Sequence, residues 1–138
     1  MIIKFEYPPN YSAVAAVFKL DNYHPIFAFG DTIYNPHRVS IGPELIAHES
    51  VHGERQGDDP ASWWDKYLHD ENFRLAEEIL AHIAEYTYLA ERAKGRQQRR
   101  VIFRMIAARL RSPLYGYNPS LSEERAKSLL KWAMKQQS

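Results

Sequence analysis

The chain has 138 residues, 45% of them hydrophobic and 25% charged, and a formal net charge of +1, which suits one domain over residues 1–138 with a single core and little room for a second lobe. It contains no cysteine, excluding disulfide staples and thiolate-held metal. No stretch approaches the roughly 20 apolar residues of a membrane span and the first apolar run is too short for a secretory leader, so a soluble, cytoplasmic protein without a membrane partner is expected.

In chain order, Ile2 to Tyr7 reads as a strand stopped by Pro8-Pro9. Tyr11 to Leu20 is rich enough in alanine for a short helix, although Val14, Val17 and Phe18 would also suit a strand. Pro25 to Phe29 and Thr32 to Asn35 flank Gly30-Asp31, a two-residue turn favourable to a type II′ hairpin, so these are expected as antiparallel strands.

Next comes His48-Glu49-Ser50-Val51-His52. Residues four apart on a helix are surface neighbours, roughly 5–6 Å apart at Cβ, so the two imidazoles can close on one ion. Glu49 is rotated by about 100° from His48, beside such an ion and near a water bound to it, where a general base belongs. With 6 His and 11 Glu in the chain, chance would produce this pattern about 0.02 times, and the local context adds to it. Gly42-Pro43-Glu44 reads as a helix start with glycine at the cap, proline in the first turn and a favourable acid. Gly53 reads as its stop. The ordinary alternative is a pair of hydrogen-bonded histidines on an amphipathic helix.

Two histidines do not hold a catalytic zinc, which takes three protein ligands and leaves a position for water. The metzincin continuation is excluded, because Arg55 and Asp58 stand where its glycine and third histidine would be. The third ligand is expected from the segment Asp70 to Leu89, which has an acidic cap and apolar residues at helical spacing and should run as a helix towards Gly95. Glu78, His82 and Glu85 share one stripe of that helix, whereas Glu77 points about 100° away. Glu78 is therefore the expected ligand, with Glu77 or His82 as alternatives. His82 could instead hydrogen-bond Glu78 or a ligand imidazole, or stabilise charge on a substrate as a catalytic group.

Between the two helices, a turn-rich start at Gln56 to Pro60 leads into a short helix with Trp63 and Trp64. It could roof the site, but tandem tryptophans more often pack cores and rims. Asp58 and Asp59 read as turn and cap residues, since no further oxygen ligands follow at calcium-loop spacing.

The net charge conceals an asymmetry. Residues 1–90 hold 6 Lys and Arg against 14 Asp and Glu, a balance of −8, whereas residues 91–138 hold 12 against 3, a balance of +9. Arg96, Arg100, Arg104 and Arg111 lie on one face of a helix within 92–111 whose other side carries Ile102, Phe103, Ile106 and Leu110. Such a stripe could bind nucleic acid or another polyanion, although a solvated arginine face is the commoner outcome. Ser120 or Ser122 should cap a last helix that docks Ala126, Leu129, Leu130 and Ala133 on the core. Tyr115 or Tyr117, in the loop before it, could donate to an oxyanion, and packing is the plainer reading of each.

The run Ile46 to Gly57, then Glu78-x-x-Ala81-His82-x-x-Glu85-Tyr86, then Ser112-Pro113-Leu114-Tyr115-Gly116, resembles small HExxH metallopeptidases of phages and prophages, which are gluzincin-like in taking a downstream glutamate as ligand. The resemblance covers about residues 31–130 and is specific at the two metal helices. It implies a minimal zincin-like α+β fold, a small N-terminal antiparallel sheet followed by a helical majority. It also implies one Zn2+ held by His48, His52 and Glu78, Glu49 as base, and Thr32-Ile33-Tyr34 as an edge strand that pairs with an extended peptide. The expected function is thus a zinc peptidase acting on a peptide or protein. The rival is a non-catalytic zinc protein that uses the basic helix to bind a polyanion.

Overall fold

The computed structural model of the chain describes residues 1–137. Its elements are β1 (Ile2–Lys4), α1 (Tyr11–Val17), β2 (Phe27–Phe29), β3 (Thr32–Tyr34), α2 (Pro43–Gln56), α3 (Pro60–His69), α4 (Glu71–Glu91), α5 (Arg96–Leu110), a single 3-10 turn at Pro113–Tyr115, and α6 (Glu123–Gln136). The architecture is α+β with a helical majority. None of the helices among the described residues is long and apolar enough to cross a membrane.

The β2–β3 hairpin forms as expected, with Phe27 opposite Tyr34 and Phe29 opposite Thr32. Gly30 takes a φ of +62°, which a glycine-first turn requires. The sheet is mixed, however, rather than antiparallel. β1 adds to β3 in parallel, in the order β1-β3-β2, and stops at Lys4 instead of Tyr7. Bonds from Ile2 N–H to the Asp31 carbonyl (3.0 Å) and from Asn35 N–H to the Lys4 carbonyl (2.7 Å) fix both ends of β1. Thr32-Ile33-Tyr34 is consequently the central strand, with no edge to offer a substrate.

The outer edge of β2 is closed by side chains. The Gln56 amide accepts from Gly30 N–H (2.6 Å) and donates to the Ala28 carbonyl (2.9 Å), and Trp64 Nε1–H donates to the same carbonyl at 3.0 Å. One side-chain amide thus pairs with a carbonyl and an N–H two residues apart, as a neighbouring strand would.

α2 starts at the expected Gly42-Pro43 but passes through Gly53 and ends at Gly57 (φ 57°). Gly53 serves packing rather than termination. A Cβ there would lie 2.5 Å from the Gly30 carbonyl oxygen and 2.9 Å from Met1 Cε, so its absence lets α2 touch the hairpin turn.

α4 begins where Asp70 caps the Phe73 N–H and packs on two sides. Leu75, Ile79, Ile83 and Tyr86 join the core built with α5 and α6, where Ile106, Leu110 and Leu130 are buried, each contributing about 2 kcal/mol. The other stripe of α4, with Glu78, His82 and Glu85, meets α2. A second apolar cluster, Val14, Phe27, Trp63, Trp64, Tyr67 and Leu68, ties together α1, β2 and α3, so the tandem tryptophans are buried as packing residues. Asp59 caps α3 through the Ser62 N–H, and Ser122 caps α6 through the Arg125 N–H. The basic helix is shorter than the range 92–111: α5 starts after Gly95, and Arg111 lies just beyond its end.

Candidate metal centre

The polar stripes of α2 and α4 meet between the two apolar clusters. His48, His52, Glu78, His82 and Glu85 are each no more than 5% exposed. His48 Nε2 lies 3.2 Å from Glu78 Oε1, and His52 Nε2 lies 3.1 Å from Glu78 Oε2. These three residues place one ligand atom each within 4.8 Å of one another and can hold a metal ion. Nitrogen and oxygen donors about 2.0–2.2 Å from a tetrahedral ion are themselves about 3.3 Å apart, so the spacing fits.

A second observation supports the fit. His52 Nε2 and Glu78 Oε1 are buried without a hydrogen-bond partner. A buried polar atom left unpaired carries a desolvation penalty, and a shared ion relieves it for both. His52 Nε2 approaches Glu78 closely without hydrogen-bond geometry, as expected of two groups aimed at a common third point. Tyr67 O–H donates to Glu78 Oε2 at 2.5 Å and fixes that carboxylate from the α3 side.

Behind this trio stands a second layer. Glu85 Oε1 is 2.9 Å from His48 Nδ1 and 3.0 Å from His82 Nδ1, while its Oε2 receives Arg109 from α5. With Nδ1–H donated to Glu85, His48 turns Nε2 towards Glu78 and His52. His82 is 3.7 Å from Glu78 Oε1, and its Nε2 is 3.0 Å from the Tyr115 hydroxyl. His48, His82 and Glu85 form a second group of metal-binding type, but Arg109 on the same carboxylate already neutralises it. Glu77 is placed elsewhere: Arg55 Nε donates to both its oxygens at 2.8 Å, and Trp63 Nε1–H donates at 2.7 Å.

The charges follow from this packing. Burial lowers the His48 pKa, but the close carboxylates of Glu78 and Glu85 outweigh it and, without an ion, push it up to about 10. Burial raises Glu78, and the paired histidines overcome that and hold its carboxyl well below the usual range. Glu85 is lowered by the same competition. Burial and the neighbouring His48 lower His82, so it is neutral at pH 7. Its one proton then sits on Nδ1, towards Glu85, and Tyr115 donates into Nε2. Burial raises Glu49, only partly offset by His48 and His52.

A cavity of about 280 Å3 opens on these groups. Glu49 lines it beside His48, His52 and Glu78, and Val14, Phe18, Phe27 and Leu45 form its apolar wall. The structure thus brings together all five residues singled out in the sequence: His48, Glu49, His52, Glu78 and His82. Of the two tyrosines in the following loop, Tyr115 reaches His82, whereas the buried Tyr117 hydroxyl has no partner. Sequence reasoning missed Tyr67 and Arg109. Tyr67 carried no separating signal among nine tyrosines. Arg109 did: it falls three residues after Ile106 and seven after Ile102, on the apolar side of α5, away from the basic stripe.

No protein-family model, curated protein or solved structure matched the chain on comparison.

Proposed function

We propose that the protein is a zinc-dependent hydrolase, a peptidase that cleaves a peptide or amide bond. The convergence of His48, His52 and Glu78, with orphaned donor atoms at their centre and Glu49 in the wall of the same cavity, carries this reading. Three ligands of this kind leave one coordination position for water or substrate. A bound Zn2+ would supply Lewis acidity at the scissile carbonyl and acidify a coordinated water.

The chain's own residues do the rest. Glu49, whose pKa is raised by burial, accepts a proton from the attacking water and returns it to the leaving nitrogen. His82 Nε2 holds the Tyr115 hydroxyl at the cavity wall, from where that hydroxyl turns to donate to the developing oxyanion. The apolar wall accepts one hydrophobic side chain of the substrate. Because Gln56 and Trp64 occupy the β2 edge, the substrate fills the cavity with a short segment instead of adding a strand.

The test combines zinc analysis with a peptide-library digest. One zinc per chain, lost in His52→Ala, and hydrolysis lost in Glu49→Gln with zinc retained, are the expected results. Turnover retained in Glu49→Gln would remove Glu49 from the chemistry, and an ion-free protein that cannot be reconstituted would remove the metal.

A further inference from the structure

α5 and α6 pack through Ile106, Leu110, Leu130 and Ala133, and on one side of that seam their surfaces open into a groove of about 660 Å3. Its α5 wall carries Arg96, Arg100 and Arg104, with Arg99 beside them, and its α6 wall carries Lys127 and Lys131. Within each wall the cations recur every four residues, so they stand about 6 Å apart along the helix axis. Tyr86 and Phe103 form the floor, their rings edge to face at 5.7 Å. Lys131 Nζ sits 5.8 Å from the Phe103 ring.

Among the described residues, only one of these six cations has an acidic partner. Glu123 lies 3.1 Å from Lys127. None of the four arginines makes an ion pair or a side-chain hydrogen bond among the described residues. Arg96 opens α5 in a first turn that has no acid, against the direction favoured by the helix dipole. Like charges four apart on a helix repel, and a concave wall concentrates their field. An anion bound there relieves both effects.

The groove is separate from the metal centre. Arg109, which reaches Glu85, lies nine residues from Arg100, half a turn round α5. The occupant should be a polymer, because the cations extend over about 12 Å of the α5 wall and about 6 Å of the α6 wall rather than converging on a point. Helices in contact are about 8–10 Å apart, too close to seat a duplex between them, and an aromatic floor suits bases that are free to stack. We propose that this groove binds single-stranded nucleic acid, holding phosphates between the arginine and lysine walls.

Fluorescence anisotropy of the full chain with a labelled oligo-dT of roughly 15 nucleotides, across a salt series, tests this. Four to six phosphate contacts should give a log–log salt slope of about −3 to −4. The Arg100→Glu/Lys131→Glu variant should bind roughly tenfold or more weakly with a flatter slope, at unchanged metal content. The milder Arg100→Gln/Lys131→Gln variant should weaken binding in the same direction. Absence of binding at low salt, or binding unaffected by both double variants, overturns the proposal. Preference for a duplex of the same length, or for vesicles containing anionic phospholipid, overturns it in favour of that partner.

Discussion

His48 Nδ1 lies 2.9 Å from Oε1 of Glu85, and this contact decides which nitrogen of the ring is left for a ligand. Glu85 is fully buried and joins His48, His82 and Arg109, so it orients two rings from α2 and α4 through one carboxylate. In Glu85→Ala both imidazoles are free to rotate and Arg109 loses its partner. Metal affinity should fall about 10- to 100-fold, read by competition with a chromogenic chelator. An affinity equal to that of the unaltered protein would show that the ligands need no such support.

Metal uptake should also release protons. Glu78 and Glu85 overcome burial to hold His48 protonated up to about pH 10 in the ion-free protein, whereas a ligand imidazole must be neutral at Nε2. The folded pKa lies above neutrality, so at pH 7 the ion displaces about one proton from this ring, and affinity should rise about tenfold per pH unit towards 10. Calorimetry at pH 7 in buffers of differing ionisation enthalpy measures the release. A heat of binding independent of the buffer would contradict this assignment.

Glu77 and Glu78 are adjacent and buried, yet they should respond differently to truncation. Glu77→Ala strips the acceptor from Trp63 and Arg55 and should cost about 1–3 kcal/mol of folding stability, towards the lower end because the Arg55 side chain is 48% exposed. Its metal stoichiometry should be unchanged. Glu78→Ala should lose the metal. Thermal melts and elemental analysis of the two variants separate these effects, and metal loss in Glu77→Ala alone would place the ligand at Glu77 instead of Glu78.

The site was more legible than its surroundings because local periodicity carries it. The spacing of His48 and His52, and the stripe Glu78-His82-Glu85, follow from helical geometry alone, and the caps at Asp70, Asp59 and Ser122 likewise depend on neighbours within three residues. What sequence left hidden depends on contacts between distant segments. The position of β3 at the sheet centre is set by an N-terminal strand that pairs with it from thirty residues away. Tyr67 and Arg109 enter the site from α3 and α5, and only the packing of those helices on α4 brings them to Glu78 and Glu85.

Gly53 shows how such a distant contact can be mistaken for a local signal. A glycine after an apolar helical run reads as a stop, yet α2 continues to Gln56, and those last residues deliver the amide that closes the β2 edge. A methyl group at Gly53 would sit 2.5 Å from the Gly30 oxygen, and backbone there can yield only by moving the turn that Gln56 holds. Gly53→Ala should therefore destabilise by about 1–3 kcal/mol despite its better helix propensity. If the glycine were present to end the helix, alanine would lengthen or stabilise it instead. Urea denaturation of the variant distinguishes the two: a lowered midpoint supports close packing, and a midpoint raised by the gain in propensity refutes it.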